Sequence, residues 1–180
     1  MTLRVAIVMG SSSDEPTMLI ASETLLGLGI ESETRVLSAH RTPHALREWV
    51  ETLEPRGIRV VICGAGGAAH LAGAVAALTI LPVIGVPLVA PNAIGGGIDA
   101  LLSTVQMPRG VPVATVALGE PGAANAGILA AQMLAIEDAE LAGRLRTMRE
   151  GMAATVREAV ASRPGAPRPA PEGPPKVRVR

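Results

Sequence analysis

Between Arg59 and Asp99 the chain carries no Asp, Glu, Lys or Arg. A stretch of that length without charge must be shielded from water, either by lipid or by the protein's own interior. Its breakers decide between the two. Gly64, Gly66, Gly67, Gly73, Pro82, Gly85, Pro87 and Pro91 divide it into pieces of strand or short-helix length, and no aromatic belt flanks it. It reads as the buried core of a soluble protein with no membrane partner. With 180 residues, 48% of them hydrophobic, the chain can build that core without disulfides or a metal. Phe and Tyr are absent and Trp49 is the one tryptophan, so Ala, Val, Leu and Ile must fill it.

That composition also narrows function. Without aromatic platforms there is no base-stacking surface, and sixteen basic residues against sixteen acidic ones give no field that steers the chain to polyanions, so no nucleic-acid partner is expected. Any anion site must be local. A single cysteine, Cys63, excludes an intrachain disulfide framework and fits a cytoplasmic location. The apolar run within Met1 to Gly10 is too short for an export signal.

Residues 163–180 hold six of the fifteen prolines, with five basic residues (Arg163, Arg168, Lys176, Arg178, Arg180) against Glu172. This density reads as a disordered, dispensable tail, leaving residues 1–162 as one domain. Within that body strand and helix patterns alternate. Leu3–Met9 is a near-continuous apolar run ending at Gly10, the pattern of a parallel strand buried on both faces. Ser12, Ser13 and Asp14 offer N-caps for a helix reaching about Gly29, and Ile30–Leu37 is a more polar outer strand. Thr42 can cap a helix with Pro43 in its first turn and Leu46, Trp49, Val50 and Leu53 on one face. Further strands are expected at Ile58–Cys63, Val83–Val86 and Val111–Leu118. Helices are expected at about Ala69–Thr79, Asp99–Val105, Ala123–Ala135 and Asp138–Ala161. The alternation predicts a three-layer α/β sandwich, flavodoxin-like, with a doubly wound parallel sheet of order 2-1-3-4-5 and extra C-terminal helices.

In such a sheet the loops after the first three strands converge where the winding direction switches. They are Gly10-Ser11-Ser12-Ser13-Asp14, Ser38-Ala39-His40-Arg41-Thr42-Pro43 and Gly64-Ala65-Gly66-Gly67-Ala68-Ala69-His70. Small residues let backbone approach a ligand, hydroxyls and helix-start amides donate to phosphate, and Arg41 adds a forked cation. Asp14 would repel phosphate but suits ribose hydroxyls. Singly, each has a plain structural reading: a helix cap, a helix start, a turn. His44 reads as exposed in a helix's first turn, and His70 as either a helix-start residue or a pocket wall. Together, on one sheet edge, they predict a phosphosugar pocket.

Five segments carry a resemblance: Val8–Asp14, Ser38–Pro43, Gly64–Leu71, Ser103–Pro108 and Gly122–Asn125. In order and spacing, across residues 3 to about 160, they resemble the class I N5-carboxyaminoimidazole ribonucleotide mutases, the catalytic-subunit family of phosphoribosylaminoimidazole carboxylase in purine biosynthesis. The resemblance implies an isomerase that moves a carboxylate from the exocyclic nitrogen of an aminoimidazole ribonucleotide to a ring carbon, with no cofactor: no metal, ATP or biotin. It implies His40 as acid and base, with Arg41, Ser11 and Ser13 on the phosphate and Asp14 on the ribose. Gly66, Gly67, Ala68 and His70 would line the base, and Gly10, Ser38, Ala39, Ala65 and Leu71 complete the predicted substrate site. It also implies a homo-octamer, to which an apolar stripe on the last helix (Leu141, Leu145, Met148, Met152, Val156, Val160) would contribute.

One segment departs from the family pattern: Ala90–Leu101 replaces the usual Ser-x-x-Leu-x-Gly-x-Asp-Ser-Leu stretch. Class II carboxylases, which use carbon dioxide directly, typically have Lys and Gly where this chain has Arg41 and Thr42, so the class I pattern fits better. A dinucleotide-binding reading of Gly64–Ala69 meets two objections, since the motif follows the third strand and no acid stands ~20 residues on to hold a ribose. A binding module with a vestigial pocket is the remaining alternative.

Overall fold

The computed structural model describes residues 3–162; the expected tail at 163–180 lies outside the described residues. Five parallel strands, β1 (Val5–Met9), β2 (Ser32–Val36), β3 (Val60–Gly66), β4 (Val83–Leu88) and β5 (Ala114–Thr115), form one sheet in the order β2-β1-β3-β4-β5. The helices are α1 (Glu15–Gly27), α2 (Pro43–Glu51), α3 (Leu71–Ala76), α4 (Ile98–Val105), α5 (Gly119–Leu134) and α6 (Ala139–Ala161). Doubly wound order and layering are as the alternation predicts. No helix among the described residues is long and apolar enough to cross a membrane; the uncharged stretch supplies β3, α3 and β4.

β1 shows why the chain needs two covers. All five of its residues are buried, and because successive side chains point to opposite faces, Val5, Ile7 and Met9 enter one core while Ala6 and Val8 enter the other. The first core is closed by Met18, Ala21 and Leu25 of α1, Ala123, Ala126 and Ala130 of α5, and Leu141 of α6. The second is closed by Leu46, Trp49 and Val50 of α2 and by Leu71 and Val75 of α3. Lacking aromatics, the first core is thin: helices α1 and α5 approach so closely that a Cβ on Gly127 would lie 2.9 Å from the Ala21 carbonyl oxygen. At the outer edge, the polar strand β2 is held to the α2 side by Glu33, which accepts from Trp49 Nε1 at 3.3 Å and pairs with Arg56 at 2.7 Å.

Several boundaries differ from expectation. β3 runs on to Gly66 and β4 to Leu88, since Ala65 pairs with Pro87 and Gly66 with Leu88; the first part of the glycine segment is therefore strand. β5 shrinks to two residues; Pro112, with no N–H to give a ladder, accounts for its late start. α3 starts only at Leu71, after a turn in which Ala69 N and His70 N donate to the Gly67 and Ala68 carbonyls. Thr42 sits at the N-cap of α2 but makes no capping bond: its hydroxyl donates to the Ser38 carbonyl at 3.1 Å and accepts from Ser38 N at 2.9 Å. Asp14 likewise occupies the N-cap position of α1 without capping it.

Candidate active site

The loops after β1, β2 and β3 meet at the carboxyl edge of the sheet around a pocket of about 320 Å³. The first loop contributes Gly10, Ser11, Ser13 and Asp14, and the second Ser38, Ala39, His40 and Arg41. The end of β3 contributes Ala65 and Gly66, followed by Ala68, with Leu71 from α3. A larger groove of about 600 Å³ opens at the opposite, amino edge, between Arg4, Ile58, Leu81, Met133 and Ile136, and has no histidine in its wall.

Local folding explains the polar set. After β1 the chain enters a 3-10 turn, Ser12–Asp14, capped by the Ser11 hydroxyl, which accepts from Ser13 N at 3.3 Å and from the Ser13 hydroxyl at 2.8 Å. With capping done by Ser11, the Asp14 carboxylate is left for the pocket. Burial pushes that carboxyl above the usual range, against the opposing pull of the Ser11 backbone, the Arg41 charge and the Ser13 side chain. Arg41 is anchored by its neighbours: its backbone N donates to the Ser38 hydroxyl at 3.2 Å and its Nη2 to the Gly10 carbonyl at 2.9 Å. Among the described residues it forms no salt bridge, and the one acid of the described pocket wall is Asp14, whose carboxyl the Arg41 charge pulls down against burial.

Two predicted residues fall outside the pocket wall. Gly67 makes the turn between β3 and α3 at φ +60°, a backbone conformation that disfavours any side chain. His70 is exposed outside the wall and contacts the site through His40: Nε2 of His40 lies 3.0 Å from Nδ1 of His70, with the rings edge to face at 84°. His44 is exposed in the first turn of α2, away from this pocket. Ala90, after β4, lines the pocket although the loops named from sequence omit it. The extended β3–β4 pairing brings it there, and a Cβ on Gly66 would sit 3.4 Å from Ala90 Cβ. The Ser103–Pro108 and Gly122–Asn125 segments contribute nothing to this wall. Thr104 is buried with its hydroxyl on the Ala100 carbonyl, and a side chain on Gly122 would run into the Ala117 carbonyl.

Such a site can bind a phosphosugar and move a proton at one imidazole. Comparison with known proteins agrees in extent and kind. The AIR carboxylase family profile matches residues 4–155. The chain is 54% identical to the N5-carboxyaminoimidazole ribonucleotide mutase of Bacillus subtilis strain 168, over 86% of this chain and 94% of that one. It is 52% identical to the protein of the same name from Escherichia coli K12, over 86% and 90%. The crystal structure of Treponema denticola PurE superposes with a TM-score of 0.79 at 29% identity, covering 87% of this chain and 96% of that one.

Proposed function

The chain belongs to the AIR carboxylase family, and from that membership we infer that it is an N5-carboxyaminoimidazole ribonucleotide mutase of purine biosynthesis, with His40 as its acid and base. The observation that supports this assignment of roles is the convergence of His40, Arg41 and Asp14 on one pocket at the switch point of the sheet.

The chemistry asks for little more. His40 gives a proton to the exocyclic nitrogen as the carbamate C–N bond breaks and carbon dioxide departs. The electron-rich ring carbon then attacks that carbon dioxide, and His40 removes the proton from the same carbon, restoring the aromatic ring and its own protonation. One proton goes out and one returns, so the cycle closes with neither a redox step nor a net proton. Arg41, Ser11 and Ser13 hold the phosphate, Asp14 the ribose, and the small residues Gly66, Ala68 and Ala90 leave room for the flat base against the end of β3. A wall of small side chains also limits the space into which carbon dioxide can stray.

We propose further that the protein acts in the cytoplasm and as a homo-octamer. Leu141 and Leu145, the amino-terminal part of the apolar stripe, are buried within the chain, but Met152, Val156 and Val160 are 58%, 64% and 48% exposed, a face that suits contact with another copy. Turnover tests the functional reading. Purified protein given the carbamate nucleotide alone should form the ring carboxylate. Conversion that requires NAD(P), or that proceeds only from the decarboxylated nucleotide with carbon dioxide, would contradict it.

A further inference from the structure

The 3.0 Å approach of His40 Nε2 to His70 Nδ1 leads us to infer that His70 is a positioning residue for the proton transfer, fixing which nitrogen of His40 the substrate meets. The inference rests on the mutase reading of His40. A neutral imidazole carries one N–H and one bare nitrogen, so a hydrogen bond between the two rings admits only complementary tautomers. If His40 donates from Nε2, its Nδ1 is bare; if His70 donates from Nδ1, His40 carries its proton on Nδ1. Either way the bond occupies Nε2 and leaves Nδ1 of His40 for substrate, and the cycle runs through the first arrangement: the His40 imidazolium gives its Nδ1 proton and is left neutral, bare at Nδ1 and still donating from Nε2 to His70, ready to take a proton back. The bond also fixes the ring's rotation, which nothing else among the described residues does, since His40 makes no other side-chain hydrogen bond.

That restraint matters because the reaction uses the same ring twice. The proton leaves His40 as the C–N bond breaks, and it returns from the ring carbon after the C–C bond has formed; a ring that flipped in between would meet the carbon with the wrong nitrogen. His70 gains and loses no proton in this cycle. It is well placed for the role: it ends the tight turn set by Gly67, immediately before α3, so the backbone that carries it is fixed by the same turn that opens the pocket.

Both histidines are exposed, so substitutions at His70 remove no core. The full-length protein would be compared as wild type, His70→Ala and His70→Asn, the last because a carboxamide puts a hydrogen-bonding atom close to where Nδ1 stood. His70→Ala should lower kcat by about 10- to 100-fold, the usual cost of losing a residue that orients a reacting group, with KM within about threefold. His70→Asn should recover most of the loss. Independently, the chain has three histidines, His40, His44 and His70, so ring 15N spectra at about pH 8.5, above the ordinary histidine range, can be assigned by single substitution. The His40 tautomer should change in His70→Ala and return in His70→Asn, with His44 unmoved. A His40 signal indifferent to His70→Ala, a wild-type kcat in that variant, or an Asn variant as slow as Ala would each overturn the positioning role. Absence of mutase turnover in the wild type would instead overturn the functional reading, and the 15N spectra would then decide the His40–His70 bond by themselves.

Discussion

Arg41 Nη2 donates to the Gly10 carbonyl at 2.9 Å and so ties the loop after β2 to the loop after β1. The guanidinium keeps other N–H groups for a phosphate while this one sets its position. Phosphate contacts are held alike in ground and transition states, so Arg41→Ala should act mainly on KM, raising it by about 10- to 100-fold, the value of a hydrogen bond to a charged group. Lysine lacks the fork and should restore little. Steady-state kinetics in which Arg41→Ala lowers kcat with KM untouched would remove Arg41 from binding.

Asp14 gives a pH dependence whose sign can be worked out. Burial raises its carboxyl above the ordinary value, so the folded chain holds this proton more tightly than the unfolded chain does. The favourable contribution is therefore complete below the ordinary carboxylate range and is lost as pH climbs through the raised value. Asp14→Asn should raise Tm at pH 7, lose that advantage at acid pH, and weaken nucleotide binding through the ribose. Melting curves across pH check this; a variant less stable than wild type at pH 7 but not at acid pH would reverse the sign.

How much of this was legible in the sequence depends on how local the determining interactions are. β1 announces itself, because Val5–Met9 is apolar without interruption and only a strand buried on both faces needs that. Alternation and handedness call for a doubly wound parallel sheet; the order β2-β1-β3-β4-β5, which brings the three loops together, is one of the arrangements they allow. Pro112 was equally visible, but its consequence, a β5 that starts only at Ala114, depends on which ladder its missing N–H would have joined. Ala90 was visible only through the resemblance, as the start of the departing Ala90–Leu101 segment over the pocket; that it lines the wall follows from the pairing of Gly66 with Leu88, a register no local pattern encodes. The His40–His70 bond is the furthest from view. It joins residues thirty positions apart through the turn at Gly67, and ring orientation leaves no trace in spacing.

The carboxyl-terminal half of α6 should be the part that assembly depends on. Replacing Met152 and Val156 together by Glu puts charges on a face that is already exposed within one chain, so the fold should persist. Light scattering should then report smaller species, down to the 18.3 kDa chain. An assembly unchanged by both substitutions would take α6 out of the interface.

Removal of residues 163–180 takes away none of the described side chains that line the pocket. A chain ending at Ser162 should fold and turn over at rates close to the full-length protein. Precipitation, or loss of most activity under conditions where the full chain works, would show that the proline-rich segment packs or regulates.

His40→Asn separates proton transfer at the imidazole from every other contact of the site. Asparagine keeps a polar side chain in the loop but cannot exchange a proton near neutral pH. The variant should fold, bind nucleotide through Arg41, Ser11 and Ser13, and lose turnover of the carbamate by at least ~100-fold, the lower end for removing a general acid and base. A folded His40→Asn protein that forms the ring carboxylate at close to the wild-type rate would remove His40 from the proton transfer.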